Sequence, residues 1–340
     1  MSTISKYTEL AKENDLSEHD TSAAFNIIMD GKSELDDLIL FLETLNNNGI
    51  NQNHVLGAVN IMRQKMISVD IPLESIDTCG TGGDGKFSLN ISTAVVFVLS
   101  ALGIPVAKHG NRSITSNCGS ADVLRALGIN IDMHTDKISE CIEKTGICFM
   151  FAPNHHPAMK HVAEARQILG KKGIKTIFNM LGPLLNPGNV KKQIIGVFSS
   201  EIQKIYKEVF NKSSDKEAFI VYGANGMDEI STEGNNKIAH KDNFFDFDPF
   251  ELEIKRPNVI ELTGENPEFN ASRIIDIFSG KKDSFYDIVS INAALGLVLD
   301  RNLELNNKNI SICLNDIGTV MNDGTALDKI EQLKMFTNKE

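Results

Sequence analysis

Glycines and hydroxyl side chains are concentrated in one loop near residue 80. Residues 77–85 read DTCGTGGDG, and Asn90, Ser92 and Thr93 follow where a helix is predicted to begin. Glycines let the backbone adopt positive φ angles and turn its N–H groups toward an anion, and a helix N-terminus adds further donors. The spacing matches neither the dinucleotide fingerprint nor the P-loop. The loop therefore indicates anion binding, with a tight turn and a hydroxyl cap as the alternative.

A second polar loop follows the next predicted strand. Residues 108–113 read KHGNRS, and Thr115, Ser116 and Ser120 extend the hydroxyl-rich stretch. Ligands of parallel sheets bind at the carboxyl ends of the strands, where such loops begin. Two loops of this kind after successive strands are harder to explain as simple turns than one loop would be. The histidine in this loop, His109, is by itself weaker evidence, because a lone histidine is more often structural than catalytic.

Two further motifs lie later in the chain. Asp228 and Glu229 are adjacent carboxylates just after a predicted strand. Carboxylate oxygens can bind Mg²⁺, with substrate phosphates completing its coordination shell. Such pairs are also common on surface loops. Residues 182–187 (GPLLNP) form a rigid turn, which is either a structural corner or part of a site wall.

A parallel sheet is needed to bring these loops together. The spacing of apolar residues predicts only helices in residues 1–70, with one helix over 55–66 and an apolar stripe from Leu35 to Leu45. From residue 76 onward, strands and helices alternate, which is typical of a mostly parallel sheet covered on both faces. The predicted strands span 104–107, 148–152, 194–198 and 218–222, and the helices span 92–102, 120–127, 136–145, 157–169, 200–211 and 271–278. Residues 235–248 are predicted to form a loop or an edge hairpin.

We therefore predict an α/β protein with a small N-terminal helical domain, residues 1–70, and a larger α/β domain, residues 71–340. The 34 Lys and Arg residues against 45 Asp and Glu give a net charge of −11. That charge opposes a broad nucleic-acid-binding face and adsorption to anionic membranes. The five cysteines include no C-x-x-C pair, so neither a disulfide framework nor a zinc site is indicated. No signal-peptide pattern is present, and we expect a cytoplasmic location.

Together these motifs resemble the anthranilate phosphoribosyltransferase family of the nucleoside phosphorylase superfamily. The matching segments occur in the family's order from about residue 5 to 300, and they are 23–31 (AAFNIIMDG), 79–84 (CGTGGD), 90–93 (NIST), 108–112 (KHGNR), 119–124 (GSADVL), 156–160 (HPAMK), 182–187 (GPLLNP) and the pair Asp228 and Glu229. The resemblance implies a class IV phosphoribosyltransferase-like fold, in which a helical segment near 157–190 packs on the N-terminal domain. It also implies a homodimer formed through the helical domain.

The implied reaction, a step of tryptophan biosynthesis, transfers phosphoribose from phosphoribosyl pyrophosphate to the amine of anthranilate, with Mg²⁺ as cofactor. The resemblance implies that Asp228, Glu229 and Ser92 bind the metal and that Gly80, Asn111 and Arg166 contact anthranilate. His109 is the nearest candidate proton acceptor. The residues implied to bind the phosphoribosyl donor are Gly80, Gly83, Asp84, Ser88, Asn90, Ile91, Ser92, Thr93, Lys108, His109, Gly110, Asn111, Arg112, Ser113, Ile114, Thr115, Ser116 and Ser120.

Two other functions remain as alternatives. A pyrimidine nucleoside phosphorylase shares this architecture, but its glycine-rich loop usually reads KHSTGGV. The acidic Asp84 in this chain fits a magnesium-bound pyrophosphate better than free phosphate. A non-catalytic, nucleic-acid-binding relative should be basic and should have lost the glycine-rich loop or the Asp228–Glu229 pair.

Overall fold

The computed structural model describes residues 4–112 and 118–339. The chain divides into two compact units. The first, the helical unit, consists of Met1–Ser68 and Ala152–Pro187, and the second, the sheet unit, consists of Val69–Phe151 and Gly188–Glu340. The helical unit is therefore built from two separate stretches of sequence. Among the described residues, no helix is both long enough and apolar enough to cross a lipid bilayer.

The α-helices in chain order are α1 (Ser5–Lys12), α2 (Glu18–Met29), α3 (Leu35–Asn47), α4 (Gln52–Lys65), α5 (Ile91–Ala101), α6 (Ser120–Ala126), α7 (Thr135–Thr145), α8 (Ala152–His155), α9 (Ala163–Lys171), α10 (Phe178–Leu181), α11 (Ser200–Asn211), α12 (Val259–Leu262), α13 (Pro267–Phe278), α14 (Ser284–Asp300), α15 (Asn307–Asn322) and α16 (Thr325–Thr337). The strands are β1 (Ile76–Gly80), β2 (Val106–Gly110), β3 (Ile147–Phe151), β4 (Lys192–Gly196), β5 (Glu217–Tyr222), β6 (Asn236–His240) and β7 (Asn243–Phe247). Short 3₁₀ helices cover Pro157–Val162, Gly182–Leu184, Ala224–Gly226 and Pro249–Leu252.

The helical unit is held together by apolar faces at helical spacing. Helix α3 buries Leu38, Phe41 and Leu45, which recur every three or four residues and so lie on one face. Helix α9 packs against α3, and the rings of Phe25 in α2 and Phe178 in α10 lie 5.5 Å apart. The stretch Ala152–Pro187 thus completes a core that α1 to α4 begin.

The sheet unit is organised by a seven-stranded sheet in the order β3-β2-β1-β4-β5-β6-β7. The first five of these strands are parallel, and β6 and β7 form an antiparallel hairpin at one edge. The predicted α/β fold with a mostly parallel sheet is confirmed, and the stretch 235–248 is the edge hairpin. The chain runs outward from β1 through β2 to β3 and then returns to the other side of β1 as β4, so the strand order reverses between β1 and β4. Open α/β sheets bind ligands at such a reversal.

Two helices that are apolar on all sides form the centre of the sheet unit. Nearly every residue of α5 and α14 is buried, as expected for helices without a polar face. They approach closely at Gly296, where a methyl group would lie 2.8 Å from the Leu99 side chain. Helix α5 also packs on β1, so the burial of both helices fixes the position of the central strand.

The predicted strands are all present, with ends within three residues of those expected. One predicted helix differs: 157–169 is a 3₁₀ helix over Pro157–Val162 followed by α9. Proline at the first position supplies no N–H, and the Met159 N–H bonds the carbonyl of His156 three residues back, which is the 3₁₀ pattern. Strands β1, β6 and β7 and helices α14 to α16 are not among the individually predicted elements.

Candidate active site

The glycine-rich loop leaves the carboxyl end of the central strand β1 and leads to the N-terminus of α5. Gly82, Gly83 and Gly85 have φ angles of 63°, 76° and 72°, the left-handed region that glycine tolerates. The side chain of Asn90, at the start of α5, makes no capping hydrogen bond within the described part of the chain. The Ile91 N–H donates to the Leu89 carbonyl at 2.8 Å, which leaves the N–H groups of Ser92 and Thr93 as the first-turn donors for an anion, as the sequence predicts.

Three carboxylates meet beside this loop. Asp84, Asp228 and Glu229 each offer an oxygen within 4.8 Å of the others. Asp228 is 8% exposed, and burial together with the charge of Asp84 raises its pKa to about 6. Burial and the charges of Asp228 and Asp84 raise the pKa of Glu229 well above its ordinary value. Such a cluster gains stability when a cation compensates its negative charge.

The unsatisfied oxygens of this cluster fit a divalent cation. Oδ2 of Asp84 and Oε2 of Glu229 are buried, and neither has a hydrogen-bond partner among residues 4–112 and 118–339. Buried polar atoms normally have partners, so this pair requires an explanation. Carboxylate oxygens are the ligands that Mg²⁺ prefers, and it usually keeps further positions for water and substrate phosphate. The residues present therefore suit Mg²⁺.

Glycines make room for the Asp228 loop at the ends of the central strands. Gly80 ends β1 and Gly196 ends β4, and the two are paired in the sheet. A methyl group on Gly80 would collide with the Asp228 carboxylate, and one on Gly196 would collide with the Asp228 backbone carbonyl. The Gly82 N–H donates to Asp228 Oδ2 at 2.7 Å, which fixes the carboxylate against the glycine-rich loop.

Ser92 lies next to the carboxylates and is held by a buried lysine. It lines the same cavity as Asp228 and Glu229. Lys108 Nζ donates to Ser92 Oγ at 3.2 Å and to the Thr78 carbonyl at 2.6 Å. Lys108 is only 3% exposed, and burial lowers its pKa. The structure thus places Lys108 against Ser92, and its implied contact with the phosphoribosyl donor stays a prediction.

The second polar loop begins at the carboxyl end of β2, as predicted. His109 and Gly110 are half-buried, and a methyl group on Gly110 would strike Ser120 Oγ. Asn111 and Arg112 are exposed, and the Arg112 guanidinium lies 5.6 Å from the Phe151 ring centre. The remaining predicted residues of this loop, Ser113, Ile114, Thr115 and Ser116, lie outside the described residues.

The other predicted site residues divide between the two units. Arg166 belongs to the helical unit, where its guanidinium lies 5.7 Å from the ring centre of Phe178 and burial lowers its pKa. Ser88 and Asn90 precede α5 in the sheet unit, and Ile91 and Thr93 lie in its first turn. Thr93 Oγ1 is buried and has no hydrogen-bond partner within the described ranges. The contacts of all these residues with substrates stay predictions, as does the role of His109 as proton acceptor.

Sequence reasoning missed part of the site. It assigned Asp84 to the phosphoribosyl donor, whereas the structure also places it with the carboxylate pair. It overlooked Asn236 and Asn292, two buried amides that bond the loop carrying Asp228 and Glu229. The available signal was an asparagine inside the apolar run of α14, because a buried polar side chain in such a run needs partners.

Comparison with known proteins agrees with this geometry. Residues 73–327 match the family model described as "Glycosyl transferase family, a/b domain". The anthranilate phosphoribosyltransferase of Pelagibacter ubique is 42% identical over 86% of this chain and 88% of its own. The structure of the Saccharomyces cerevisiae anthranilate phosphoribosyltransferase in complex with PRPP and Mg has a TM-score of 0.91 at 26% identity, covering 98% of each chain. The same yeast enzyme in complex with 4-fluoroanthranilate has a TM-score of 0.88 at 25% identity, covering 98% of this chain and 97% of that one.

The sequence identity to the bacterial relative extends over most of both chains, and the structural likeness to the yeast enzyme extends over nearly all of this chain and of the yeast chain. The matched region contains the glycine-rich loop, α5 and all three carboxylates. The chain therefore belongs to the anthranilate phosphoribosyltransferase family and is an enzyme of the glycosyltransferase type.

Proposed function

We propose that this chain transfers the phosphoribosyl group of phosphoribosyl pyrophosphate to the amine of anthranilate, in tryptophan biosynthesis. The observation that carries the proposal is the gathering of Asp84, Asp228 and Glu229 beside the N-terminus of α5. The carboxylates suit a divalent cation, and the helix N-terminus suits a pyrophosphate. The ligands in the structures of the yeast relative, PRPP with Mg and 4-fluoroanthranilate, support the same assignment.

In this reaction the anthranilate nitrogen bonds to the anomeric carbon, the bond from that carbon to the pyrophosphate oxygen breaks, and the nitrogen loses a proton. Negative charge grows on the leaving pyrophosphate as the bond breaks, so fixed donors aimed at it lower the barrier. The glycine-rich loop and the first turn of α5 supply such donors. Mg²⁺, held by Asp84, Asp228, Glu229 and Ser92, would add positive charge at the pyrophosphate.

Hydrogen bonds within the chain orient the groups of this site before substrate binds. Lys108 fixes the Ser92 hydroxyl, and the Gly82 N–H fixes the Asp228 carboxylate. Donors and carboxylates that are already oriented need no reorganisation during the reaction. We assign anthranilate to Gly80, Asn111 and Arg166 on the basis of the resemblance, since a guanidinium suits a benzoate carboxylate. The homodimer and the cytoplasmic location stay predictions.

The loss of anthranilate fluorescence tests the proposal. We expect the purified chain to consume anthranilate when both phosphoribosyl pyrophosphate and Mg²⁺ are present, and not when either is omitted or when EDTA is added. A parallel reaction with a pyrimidine nucleoside and inorganic phosphate examines the phosphorylase alternative. Release of free base in that reaction, with no loss of anthranilate in the first, would contradict the proposed function and support the phosphorylase.

A further inference from the structure

The loop that carries Asp228 and Glu229 has little regular structure of its own. This carboxylate loop, residues 223–234, contains one short 3₁₀ turn, and the Gly223 N–H donates to the Met227 carbonyl at 2.9 Å across its first five residues. A cation site needs its ligands held to within about 0.5 Å. Groups outside the loop must therefore fix its backbone.

Asn292 fixes the backbone directly after Glu229. From α14, its Oδ1 accepts from the Ile230 N–H at 2.9 Å, and its Nδ2 donates to the Ile230 carbonyl at 2.9 Å. Nδ2 also donates to the Ile288 carbonyl at 2.8 Å, within the same helix. Asn292 is 5% exposed and lines the cavity that Asp228 and Glu229 share. One amide thus binds both polar groups of Ile230 and ties them to a buried helix.

Asn236 fixes the carboxylate loop at three further residues. Its Oδ1 accepts from the Ala224 N–H at 3.0 Å and from the Ser231 N–H at 2.8 Å, which lie on opposite sides of the carboxylates. Its Nδ2 donates to the carbonyls of Gly234, at 2.8 Å, Ser231, at 3.0 Å, and Phe247, at 3.2 Å. Asn236 is 1% exposed and begins β6, so it ties the loop to the edge hairpin. An amide has two donors and two lone pairs, and here all of them are used.

We propose that Asn236 and Asn292 are positioning residues for the cation site: they hold the backbone of the carboxylate loop so that Asp228 and Glu229 keep the spacing a divalent cation requires. The inference rests on the proposed function, which makes Asp228 and Glu229 metal ligands. Outer residues that orient metal ligands change metal affinity by about 10- to 100-fold when they are removed. A purely structural role would instead lower stability and leave cation affinity unchanged.

Binding of Mn²⁺ alone, measured by electron paramagnetic resonance of the free ion, tests the inference without substrate or turnover. We expect Asn292→Leu and Asn236→Leu, which keep side-chain size and remove the polar atoms, to weaken Mn²⁺ binding about tenfold or more. Leu297→Ala is the matched control, because Leu297 is buried in the same helix α14 and is not among the described residues that line the cavity of Asp228 and Glu229. It should lower the melting temperature and leave Mn²⁺ affinity unchanged.

A second pair of variants covers the case in which the leucine variants do not fold. Asn292→Asp and Asn236→Asp keep the accepting oxygen, lose the N–H donors and add a negative charge. Their added negative charge attracts a cation, so weaker Mn²⁺ binding in these variants must come from the loss of positioning. Binding as tight as that of the unaltered chain, or tighter, would overturn the inference.

The variant Asp228→Asn with Glu229→Gln separates failure of this inference from failure of the proposed function. If it loses Mn²⁺ binding while the asparagine variants retain it, the ligands are correct and the positioning role is wrong. If it too binds Mn²⁺ normally, the proposed cation site itself fails, and the positioning role fails with it.

Discussion

At the scale of single residues, the site carries more buried negative charge than its surroundings balance. Asp84, Asp228 and Glu229 each have an oxygen within 4.8 Å of the others. The charge of the nearby buried Lys108 lowers the pKa of Glu229, but burial raises that pKa by more. The Lys108 ammonium donates its hydrogen bonds to the Thr78 carbonyl and the Ser92 hydroxyl instead. The result is a pocket that favours an added divalent cation.

The structural role of Lys108 can be tested with Lys108→Met, which keeps the length of the side chain. The variant leaves the buried Thr78 carbonyl without this partner, and we expect the free energy of unfolding in urea to fall by about 1–3 kcal/mol. Lys86→Met is the control, because the Lys86 side chain is exposed, and it should change stability by less than about 0.5 kcal/mol. Equal stabilities for the two variants would show that the buried ammonium contributes nothing to the fold.

Individual residues also show where sequence reasoning stops. The paired carboxylates and the hydroxyls in the first turn of α5 could be found because their types and spacing suit phosphate and metal chemistry. Asn236 and Asn292 were missed because an isolated asparagine carries no such pattern. Their importance lies in hydrogen bonds to Ser231 and Ile230, and in the case of Asn292 these join residues 62 positions apart. Only the folded chain reveals such pairs.

At the scale of elements, the site lies where the strand order reverses. Strands β1 and β4 are neighbours, and their last residues, Gly80 and Gly196, leave space for the carboxylate and the backbone of Asp228, respectively. The parallel sheet could be predicted, because apolar runs alternated with helices of suitable length. The order of its strands could not, because the sequence does not state which strands pair. Helix α14 was overlooked for a related reason: it is apolar on all sides and has no amphipathic period.

Gly196→Ala tests this close approach. The added methyl group would meet the Asp228 carbonyl, and backbone on both sides leaves little room to move. We expect the free energy of unfolding to drop by about 3 kcal/mol or more, with loss of Mn²⁺ binding. Gly170→Ala is the control, since Gly170 lies in α9 with open space around it, and it should stabilise the protein by about 0.5–1 kcal/mol. A Gly196→Ala variant as stable as the unaltered chain would contradict the packing described.

At the scale of the whole molecule, the net charge of −11 and the proposed polyanionic substrate are compatible. The charge excludes a broad basic surface, and the site does not need one. Backbone N–H groups at α5 and a cation held by carboxylates supply positive potential locally. The acidic composition therefore describes the surface of the protein, while the site is set by a few buried groups.

The helical unit should lose stability in acid through a buried histidine. His156 is 7% exposed, and burial together with the nearby His155 lowers its pKa from 6.5 to about 4. The unfolded chain therefore binds this proton first as the pH falls, so stability is full above pH 6.5 and is lost progressively down to about pH 4. The loss should reach about 3 kcal/mol.

Urea unfolding between pH 4 and 7 measures this dependence. His156→Gln can still donate to the Leu185 carbonyl and should flatten the profile, whereas His19→Gln, at an exposed position, should leave it unchanged. Profiles of equal slope for the unaltered chain and His156→Gln would show that another group is responsible.

The central claim is that the carboxylate loop holds the cation on which turnover depends. Asp228→Asn combined with Glu229→Gln tests it most directly, because both changes keep side-chain size and remove charge. The measurement is the rate of anthranilate consumption at limiting Mg²⁺, with circular dichroism to verify the fold. We predict that turnover is abolished while the fold persists. Full activity of the double variant under limiting Mg²⁺ would contradict the account.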